Sequence, residues 1–556
     1  MHTDESAGRP ELAKQDVAHR AATGIVRGAA LIAGLTILSR LLGLVRTLVF
    51  SQSVGATCLG TVYLSANQVP NLIYELVLGG ALTSAMVPVL ARSAELAGSD
   101  PEEKARVSQI SSALVTWALI ILLPLTLVIA VAAGPIAALL NPANANAHCG
   151  HAAMVSATAG MLEAVAPQIV LYGLSAVLFG LLQAYRRFTG PALAPVISSL
   201  VLMASFLAFV PLAQGLPLSR LPLAAELVLS VGSTLGIAAL LLVALVPTWR
   251  LHLRFRPALH FPPGVARRAG GLAIVGVIEF IANDLSTIAV IALANGRGST
   301  GALVIFNYTW QVFNAVFAVL AVSIVISAFP VLSARDGPVF DQTCAGSTRA
   351  VVLMSWLGTA VIAAIAVPAA HVLARQPDQI PQLIQGFALF APGVAGIAVV
   401  TNLSRVMFAV GRLKVAAAGL AGSWLLVAAA DVVLAELAPP HLVVGALALG
   451  STVGQTLVAI PMAIATRRIC GKAALHGVGH ATAAGLAAAA AGAAVGVLVS
   501  LAMPVSHKLL AFGSAMVATA CAVVAFGVVA YFLDKSDLEI VMVRLRRLRR
   551  RAAASR

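Results

Sequence analysis

Two arginines lie inside an apolar run that is long enough to cross a lipid bilayer, residues 28–50, GAALIAGLTILSRLLGLVRTLVF. An ionisable side chain inside a membrane costs about 2.5–3.5 kcal/mol on insertion scales, so both arginines need a reason. Arg40 and Arg46 each lie three residues from Gly43, which places them about 60° to either side of that glycine on a helix. Ser39 lies two turns before Arg46 on the same face. The two guanidinium groups therefore flank a gap in the helix surface.

Guanidinium groups bind phosphate through paired hydrogen bonds, so this stretch predicts one wall of a phosphate-binding cavity. The alternative is structural: the two arginines are held by acidic partners such as Glu75. The spacing does not decide between these interpretations.

Polar side chains recur at helical spacing in three further apolar runs. Hydrogen bonds between helices explain single polar residues in a membrane, but whole polar faces of this length are costly against lipid. We therefore expect these faces to line one water-filled cavity, whose wall is more basic on the side of the arginine pair. The residues are Asn67, Asn71 and Glu75; Glu279, Asn283, Asp284 and Thr287; and Asn307, Gln311 and Asn314.

Three other ionisable residues interrupt apolar runs, namely Glu163, Arg405 and Asp431. Asp431 lies deepest, and it is a candidate for binding a coupling cation or a proton; a structural partner is an equally open explanation. The sequence contains no phosphate-binding Gly-rich loop, no metal-ligand cluster and no catalytic triad pattern. An enzymatic function therefore has no residues to carry it.

The elements that must position these side chains are transmembrane helices. The 556 residues are 60% hydrophobic and only 10% charged, whereas soluble domains are about a quarter charged. Apolar runs of about 20 residues predict membrane-spanning helices. We number the fourteen runs as spans 1 to 14: 30–54, 60–91, 109–139, 153–184, 190–213, 224–248, 267–295, 301–333, 349–374, 382–410, 414–437, 441–465, 479–503 and 509–533.

Positive charge alternates between successive loops. The loops 92–108 and 249–268 are rich in Arg and Lys, for example, while the loop 140–152 has neither. Because Arg and Lys gather in cytoplasmic loops, this alternation predicts a multi-pass membrane protein with both termini in the cytoplasm. It also explains the net charge of +15 without nucleic acid as a partner.

Two pairs of similar segments lie six spans apart. MVPVLARSAE (86–95) resembles AFPVLSARDG (328–337), and AYRRFTGPAL (184–193) resembles AVGRLKVAAA (409–418). The repeat predicts two six-helix lobes followed by two extra helices, with the substrate path between the lobes. The predicted divisions are an N-terminal segment 1–28, an N-lobe 29–248, a basic linker 249–268, a C-lobe 269–466, helices 13 and 14 in 467–534, and a basic tail 535–556.

The tail, which ends in RLRRLRRRAAASR, is expected to lie beside the membrane and attract anionic lipids. Cys58 and Cys149 can both lie near the outer face, and whether they pair is left open.

The segments LSRLLGLVRTLVFSQSVGA (38–56) and NQVPNLIYELVLGGALTSAMVPVLAR (67–92) resemble the start of the MurJ/MviN family of bacterial lipid II flippases, within the multidrug/oligosaccharidyl-lipid/polysaccharide exporter superfamily. Segments 308–334 and 404–414 resemble later parts of the family, in its actinobacterial-like branch. The shared pattern is Ser-Arg-x-x-Gly-x-x-Arg, Pro-Asn-Leu, Gly-Ala and Val-Pro-x-Leu. It falls on Ser39, Arg40, Gly43, Arg46, Pro70, Asn71, Leu72, Gly80, Ala81 and Val87–Leu90.

The resemblance implies a flippase of the bacterial inner membrane that moves undecaprenyl-diphosphate-linked peptidoglycan precursor from the inner to the outer leaflet by alternating access, without a cofactor. It implies substrate contacts from Arg40, Arg46, Ser39, Asn71, Gln311 and Asn314, with Gly43, Asn67, Glu75, Glu279 and Asn283 as polar or gating residues of the cavity. It also implies a groove on spans 13 and 14 for the lipid tail, and partners among cell-wall synthesis and division proteins.

The sequence also departs from the family pattern, because charged family positions fall here on Thr47, Thr61, Tyr74, Gln311 and Asn314. Some relatives hold sodium between spans 7 and 11. Asp284 and Asp431 are the matching candidates here for sodium or a proton, although Val427 stands where an Asn is expected; the membrane potential is another energy source. An exporter of another lipid-linked glycan or amphipathic compound is the alternative function.

Overall fold

The computed structural model describes residues 34–35, 38–76, 90, 93–97, 100–142, 149–260, 265–334 and 337–533, and only the backbone of 265–275. Within these ranges the chain is helical and contains no strand, which confirms the predicted all-α class. The predicted segment 1–28, the tail 535–556 and the glycines of the Gly-Ala motif lie outside the described residues.

We label the main helices in chain order. They are α1 (38–53), α2 (Cys58–Glu75), α3 (Pro101–Val131), α4 (Ala133–Leu140), α5 (His151–Val165), α6 (Gln168–Ala184), α7 (Thr189–Ala213), α8 (Leu223–Trp249), α9 (Val265–Arg297), α10 (Ala302–Phe317), α11 (Ser323–Ala334), α12 (Gly337–Leu373), α13 (Gln379–Phe390), α14 (Gly393–Ala409), α15 (Leu413–Leu437), α16 (Val443–Cys470), α17 (Val478–Ala502) and α18 (Lys508–Leu533).

Twelve of the described helical segments are long and apolar enough to cross a membrane. They coincide with spans 3 to 14, and α1 and α2 lie at the positions of spans 1 and 2. The protein is therefore a multi-span membrane protein. The largest difference in a boundary is at span 9, because α12 begins at Gly337 and carries a polar first third, which a search for apolar runs does not detect.

Proline marks the breaks inside two spans. Span 4 divides into α5 and α6 at Pro167, and span 10 divides into α13 and α14 at Pro392; each proline is the N-cap of the second helix. Proline has no N–H to donate and its ring clashes with the preceding turn, so it starts a helix more readily than it continues one. Span 8 instead contains a π-helical turn, Ala318–Val322, between α10 and α11.

The helices pack in two groups. Helices α2 and α3 and α5–α8 contact one another, as do α9–α16, while α2 touches α9 and α10 across the boundary. We call α1–α8 the N-terminal bundle and α9–α16 the C-terminal bundle. Glycine permits close approach within each: a Cβ on Gly232 of α8 would lie 2.0 Å from the Ser205 Oγ of α7, and one on Gly454 of α16 would lie 2.5 Å from the Val427 N of α15.

The last two helices, α17 and α18, pack on α12 and on each other through small residues. A Cβ on Gly496 of α17 would lie 2.3 Å from the Cβ of Ala364 on α12. Large apolar side chains such as Leu498, Leu501 and Phe512 remain exposed on these helices, as expected where a helix faces lipid. The tail-binding groove itself stays a prediction.

One end of the molecule, where α1 ends and α2 begins, carries a disulfide between Cys58 and Cys149, with the Cα atoms 5.7 Å apart. We call this the disulfide end. The pairing that the sequence left open is thus formed, between residues 91 positions apart in the chain. Their approach brings together the starts of α2 and α5, which local sequence patterns do not reveal.

The two bundles are hydrogen-bonded to each other at the disulfide end. Arg375 Nη1 donates to the Ser53 carbonyl (3.0 Å), Gln379 Nε2 to the Ala56 carbonyl (3.2 Å), and Gln52 Nε2 to the Val372 carbonyl (3.1 Å). A buried amide adds a link, since Asn295 of α9 donates to the Ser65 hydroxyl of α2 (2.9 Å). The bundles are therefore joined at this end.

Candidate functional site

A cavity of about 810 Å³ lies between the bundles. Helices α1, α2, α6, α7 and α8 form most of its wall, and α10 closes it from the C-terminal bundle. All six residues predicted to contact substrate line it, and so do three of the predicted polar or gating residues. These nine are Arg40, Arg46, Ser39, Asn71, Gln311, Asn314, Gly43, Asn67 and Glu75. We call this space the main cavity.

The arginine pair faces the main cavity without an acidic partner among the described residues. Arg40 is exposed and Arg46 is half-buried. The salt bridges found in the described chain join other residues, Arg186 to Glu95 and Arg297 to Glu436. The structural explanation of the pair, in which Glu75 holds the arginines, is therefore wrong for the described chain, and the guanidinium N–H groups can be donated to a ligand.

Glu75 instead joins the two bundles. Its Oε2 accepts a hydrogen bond from Asn283 Nδ2 of α9 at 3.0 Å. Thr47, which replaces an acidic residue of the family pattern, is buried and donates to the Gly43 carbonyl of its own helix at 3.0 Å. The basic wall of the cavity thus has no nearby carboxylate on α1.

A second polar wall was not predicted from the sequence. Gln168 of α6 is 1% exposed, and its Nε2 donates to Ser233 (3.0 Å), Thr234 (3.2 Å) and Asn67 (3.4 Å). The Tyr172 hydroxyl donates to Asn71 Oδ1 at 2.8 Å. The sequence does show a glutamine inside an apolar run, which could have indicated a buried polar site. Its partners could not be inferred, because they lie on two other helices, α2 and α8.

Aromatic rings line the main cavity towards the disulfide end. The Phe50 ring lies 5.4 Å from that of Tyr63, 5.1 Å from that of Phe206 and 6.4 Å from that of Tyr308. All four residues line the cavity. Gln52, Ser53 and Ala56, whose hydrogen bonds join the bundles at the disulfide end, follow Phe50 in the chain, so these four rings form an aromatic plug next to that end.

A second cavity of about 290 Å³ adjoins the main one and shares Gln68, Glu75 and Asn314 with it. The remaining predicted gating residues, Glu279 and Asn283, line this smaller space. The residues predicted from the sequence therefore line two adjoining cavities, whereas the sequence predicted a single one.

The two residues predicted to hold a cation, Asp284 and Asp431, line neither cavity. They lie on α9 and α15, which pack against each other. Asp431 is fully buried, and neither of its carboxylate oxygens has a hydrogen-bond partner among the described residues; Asp284 Oδ1 is likewise buried without one. A group of three or more acidic, His or Cys ligands is absent from the part of the chain that the structure describes.

A family model described as lipid II flippase MurJ matches residues 50–512. The chain belongs to the lipid II flippase MurJ family. A MurJ protein from Burkholderia cenocepacia is 32% identical over 174 residues, 31% of this chain and 32% of the relative. A MurJ relative from Synechocystis sp. is 29% identical over 249 residues, 43% of each chain. The matched segments thus cover less than half of the length of each relative.

Solved structures agree with the MurJ fold. A lipid II flippase MurJ in an inward closed conformation superposes with a TM-score of 0.69 at 14% identity, covering 90% of this chain and 99% of that one. A multidrug MATE-family transporter in an inward-facing conformation gives 0.61 at 13% identity, covering 77% and 94%. The shared fold includes transporters of different compounds, so the substrate must be argued from the site.

Proposed function

We propose that this MurJ-family protein is a lipid II flippase, a transporter that moves undecaprenyl-diphosphate-linked peptidoglycan precursor from the inner to the outer leaflet. The observation that carries the proposal is the arginine pair, Arg40 and Arg46, which faces a cavity of about 810 Å³ without a salt bridge to any described carboxylate. Two guanidinium groups supply a charge of about +2 and the paired donors that a diphosphate accepts.

The remaining wall of the cavity suits the uncharged polar groups of the headgroup. Amides and hydroxyls on α2, α6 and α10 present donors and acceptors to the sugars and the peptide. They include the predicted contacts Asn71, Gln311 and Asn314. The polyprenyl tail is too apolar for this cavity, so it stays in lipid against α17 and α18, the unit predicted over 467–534.

Transport by alternating access requires the disulfide end to open. We propose that this end faces the outside and that both termini lie in the cytoplasm of a bacterial cell, in agreement with the alternation of loop charge. Release of the headgroup then requires the hydrogen bonds of Gln52, Arg375 and Gln379 to break and the plug around Phe50 to separate.

Energy coupling is proposed at the buried carboxylates. An unpaired carboxylate inside a membrane is unstable unless it binds a cation or a proton, so Asp431, with Asp284 on the adjacent helix, would hold the coupling ion. Binding of the ion would neutralise the carboxylates and so favour one arrangement of α9 and α15 over another. The membrane potential also acts on the arginine pair, by about 2.3 kcal/mol per charge per 100 mV.

The basic tail 535–556 is proposed to contact anionic lipids and to be available to cell-wall synthesis and division proteins. The alternative function is export of another lipid-linked glycan or an amphipathic compound. The MATE-family neighbours favour that alternative at the level of the fold, and the arginine pair favours an anionic substrate.

The test is complementation of a cell depleted of its own flippase. Arg40→Ala and Arg46→Ala should each fail to restore growth at wild-type protein abundance, because the diphosphate loses one of its two charged partners. Arg412→Ala is the matched control, since Arg412 is exposed and lines neither cavity. Full rescue by both cavity variants would contradict the proposal.

A further inference from the structure

The smaller cavity has the opposite chemistry to the main one. Its lining includes two carboxylates, Glu75 and Glu279, and no Lys or Arg among the described residues. We call this space the acidic chamber. It opens beside the main cavity, with which it shares Gln68, Glu75 and Asn314, so a ligand held at the arginine pair can extend a branch into it.

Aromatic rings form a large part of the acidic chamber, contributed by Phe280, Phe306, Trp310 and Trp424. The Trp310 and Trp424 rings meet edge to face, with their centroids 6.1 Å apart. The faces of tryptophan rings attract cations, most strongly where water is excluded. Carboxylates and indole rings together favour a cationic group that carries apolar carbon atoms.

Two serine hydroxyls also line the acidic chamber. Ser286 is 3% exposed and Ser451 is 6% exposed, and both line the space. Neither side chain forms a hydrogen bond with another residue that the structure describes, although serine hydroxyls inside spanning helices here commonly donate to a backbone carbonyl, as Ser175 does at 2.7 Å. Both hydroxyl oxygens can therefore accept a hydrogen bond from a group in the chamber, and an ammonium group carries three N–H donors.

The carboxylates of Glu75 and Glu279 can also accept hydrogen bonds from an ammonium group. Glu75 is oriented by Asn283 through one oxygen. Glu279 forms no salt bridge in the described chain; Arg405 attracts it electrostatically but lies over the rings of Phe329 and Phe408 and does not line the acidic chamber.

We infer that the acidic chamber binds a primary ammonium group on an aliphatic chain, the side chain of the diamino acid in the peptide of the transported precursor. This inference rests on the proposed function and extends it from the diphosphate to the peptide. The volume of about 290 Å³ equals that of roughly ten water molecules, which suits a branch of the peptide better than a bare metal ion.

The test compares two forms of one ligand in lipid nanodiscs: lipid II with lysine as its diamino acid, and the same molecule with the lysine amine acetylated. The wild-type protein should bind the free amine about tenfold more tightly than the acetylated form, because acetylation removes the charge. Glu279→Gln should bring this ratio close to one while leaving the affinity for the acetylated form unchanged. Ser286→Ala should lower the ratio by about threefold.

Two controls separate this inference from the proposed function. Glu163→Gln, which removes an exposed carboxylate of α5 outside both cavities, should keep the tenfold preference. Arg46→Ala should weaken the binding of both forms of lipid II equally, because this change affects the contact with the diphosphate and not the contact with the amine.

A preference that survives in Glu279→Gln would overturn the inference. So would a ratio of one in the wild-type protein, including the case in which binding depends on sodium and the acidic chamber takes a bare ion. Failure of the wild-type protein to bind either form would overturn the proposed function, and the inference with it.

Discussion

At the scale of residues, the cavity separates charge. Arg40 and Arg46 lie on the α1 wall without a carboxylate partner in the part of the chain that the structure describes, whereas Glu75 and Glu279 lie towards α9. A zwitterionic headgroup, with a diphosphate at one side and an amine at the other, matches this polarity. The separation holds because Thr47 takes the place of an acidic residue beside the arginines, and its hydroxyl is satisfied by its own helix.

The arginine pair and the polar stripes could be predicted from the sequence because a charged or amide side chain is conspicuous in an apolar run. Gln168 and Tyr172 could not be assigned in the same way. Their roles depend on partners from α2 and α8, and one sequence contains no information on which helices meet.

Tyr172→Phe tests the second polar wall at this scale. The change removes the hydroxyl that orients Asn71, and a hydrogen bond of this kind contributes about 1 kcal/mol. We expect lipid II to bind about three- to tenfold more weakly, measured as Kd in nanodiscs. Tyr185→Phe is the control, because Tyr185 follows the same helix but lines neither cavity; an equal loss in both variants would contradict a role for Tyr172 in the site.

At the scale of elements, close helix contacts hold the cation candidate in place. Helix α16 approaches α15 through Gly450 and Gly454, and a Cβ on Gly450 would lie 2.0 Å from Asp431 Oδ1. The existence and order of the helices followed from the apolar runs. The early start of α12 did not, because its first turns carry polar residues and are partly exposed, so no apolar run marks them.

Gly454→Ala tests the packing of these elements. The added methyl group meets the backbone of Val427 at 2.5 Å, so the helices must separate, and overpacking of this kind costs about 1–3 kcal/mol. We expect a lower thermal midpoint for the purified protein. Gly422→Ala on α15 is the matched control, since a Cβ there meets nothing within 4 Å. A thermal midpoint lowered equally by both changes would argue against the close contact.

At the scale of the whole molecule, the disulfide end joins the two bundles, while the main cavity lies behind its aromatic plug. Two of the joining bonds run from Arg375 and Gln379 to the carbonyls of Ser53 and Ala56, and a third runs the other way, from Gln52 to the Val372 carbonyl. The internal repeat predicts two similar lobes, and their similarity stays a prediction. Their contact at this end, and the Cys58–Cys149 pairing beside it, depend on the assembled tertiary structure.

Arg375→Ala tests this contact. Loss of the bond to the Ser53 carbonyl should favour separation of the bundles by about 1 kcal/mol. Amide hydrogen exchange in residues 51–57 should then rise about three- to tenfold. Arg297→Ala is the control, because its partner Glu436 lies in the same bundle, and exchange in 51–57 should stay at the wild-type rate. Unchanged exchange in Arg375→Ala would show that this bond does not hold the end closed.

The central claim is that the arginine pair carries the lipid diphosphate across the membrane. The most direct measurement is the amount of lipid II exposed on the outer leaflet of cells that depend on this protein alone. The account predicts that the double variant Arg40→Ala/Arg46→Ala exposes no more lipid II than cells without a flippase, at normal protein abundance. Exposure at the wild-type level in the double variant would contradict it.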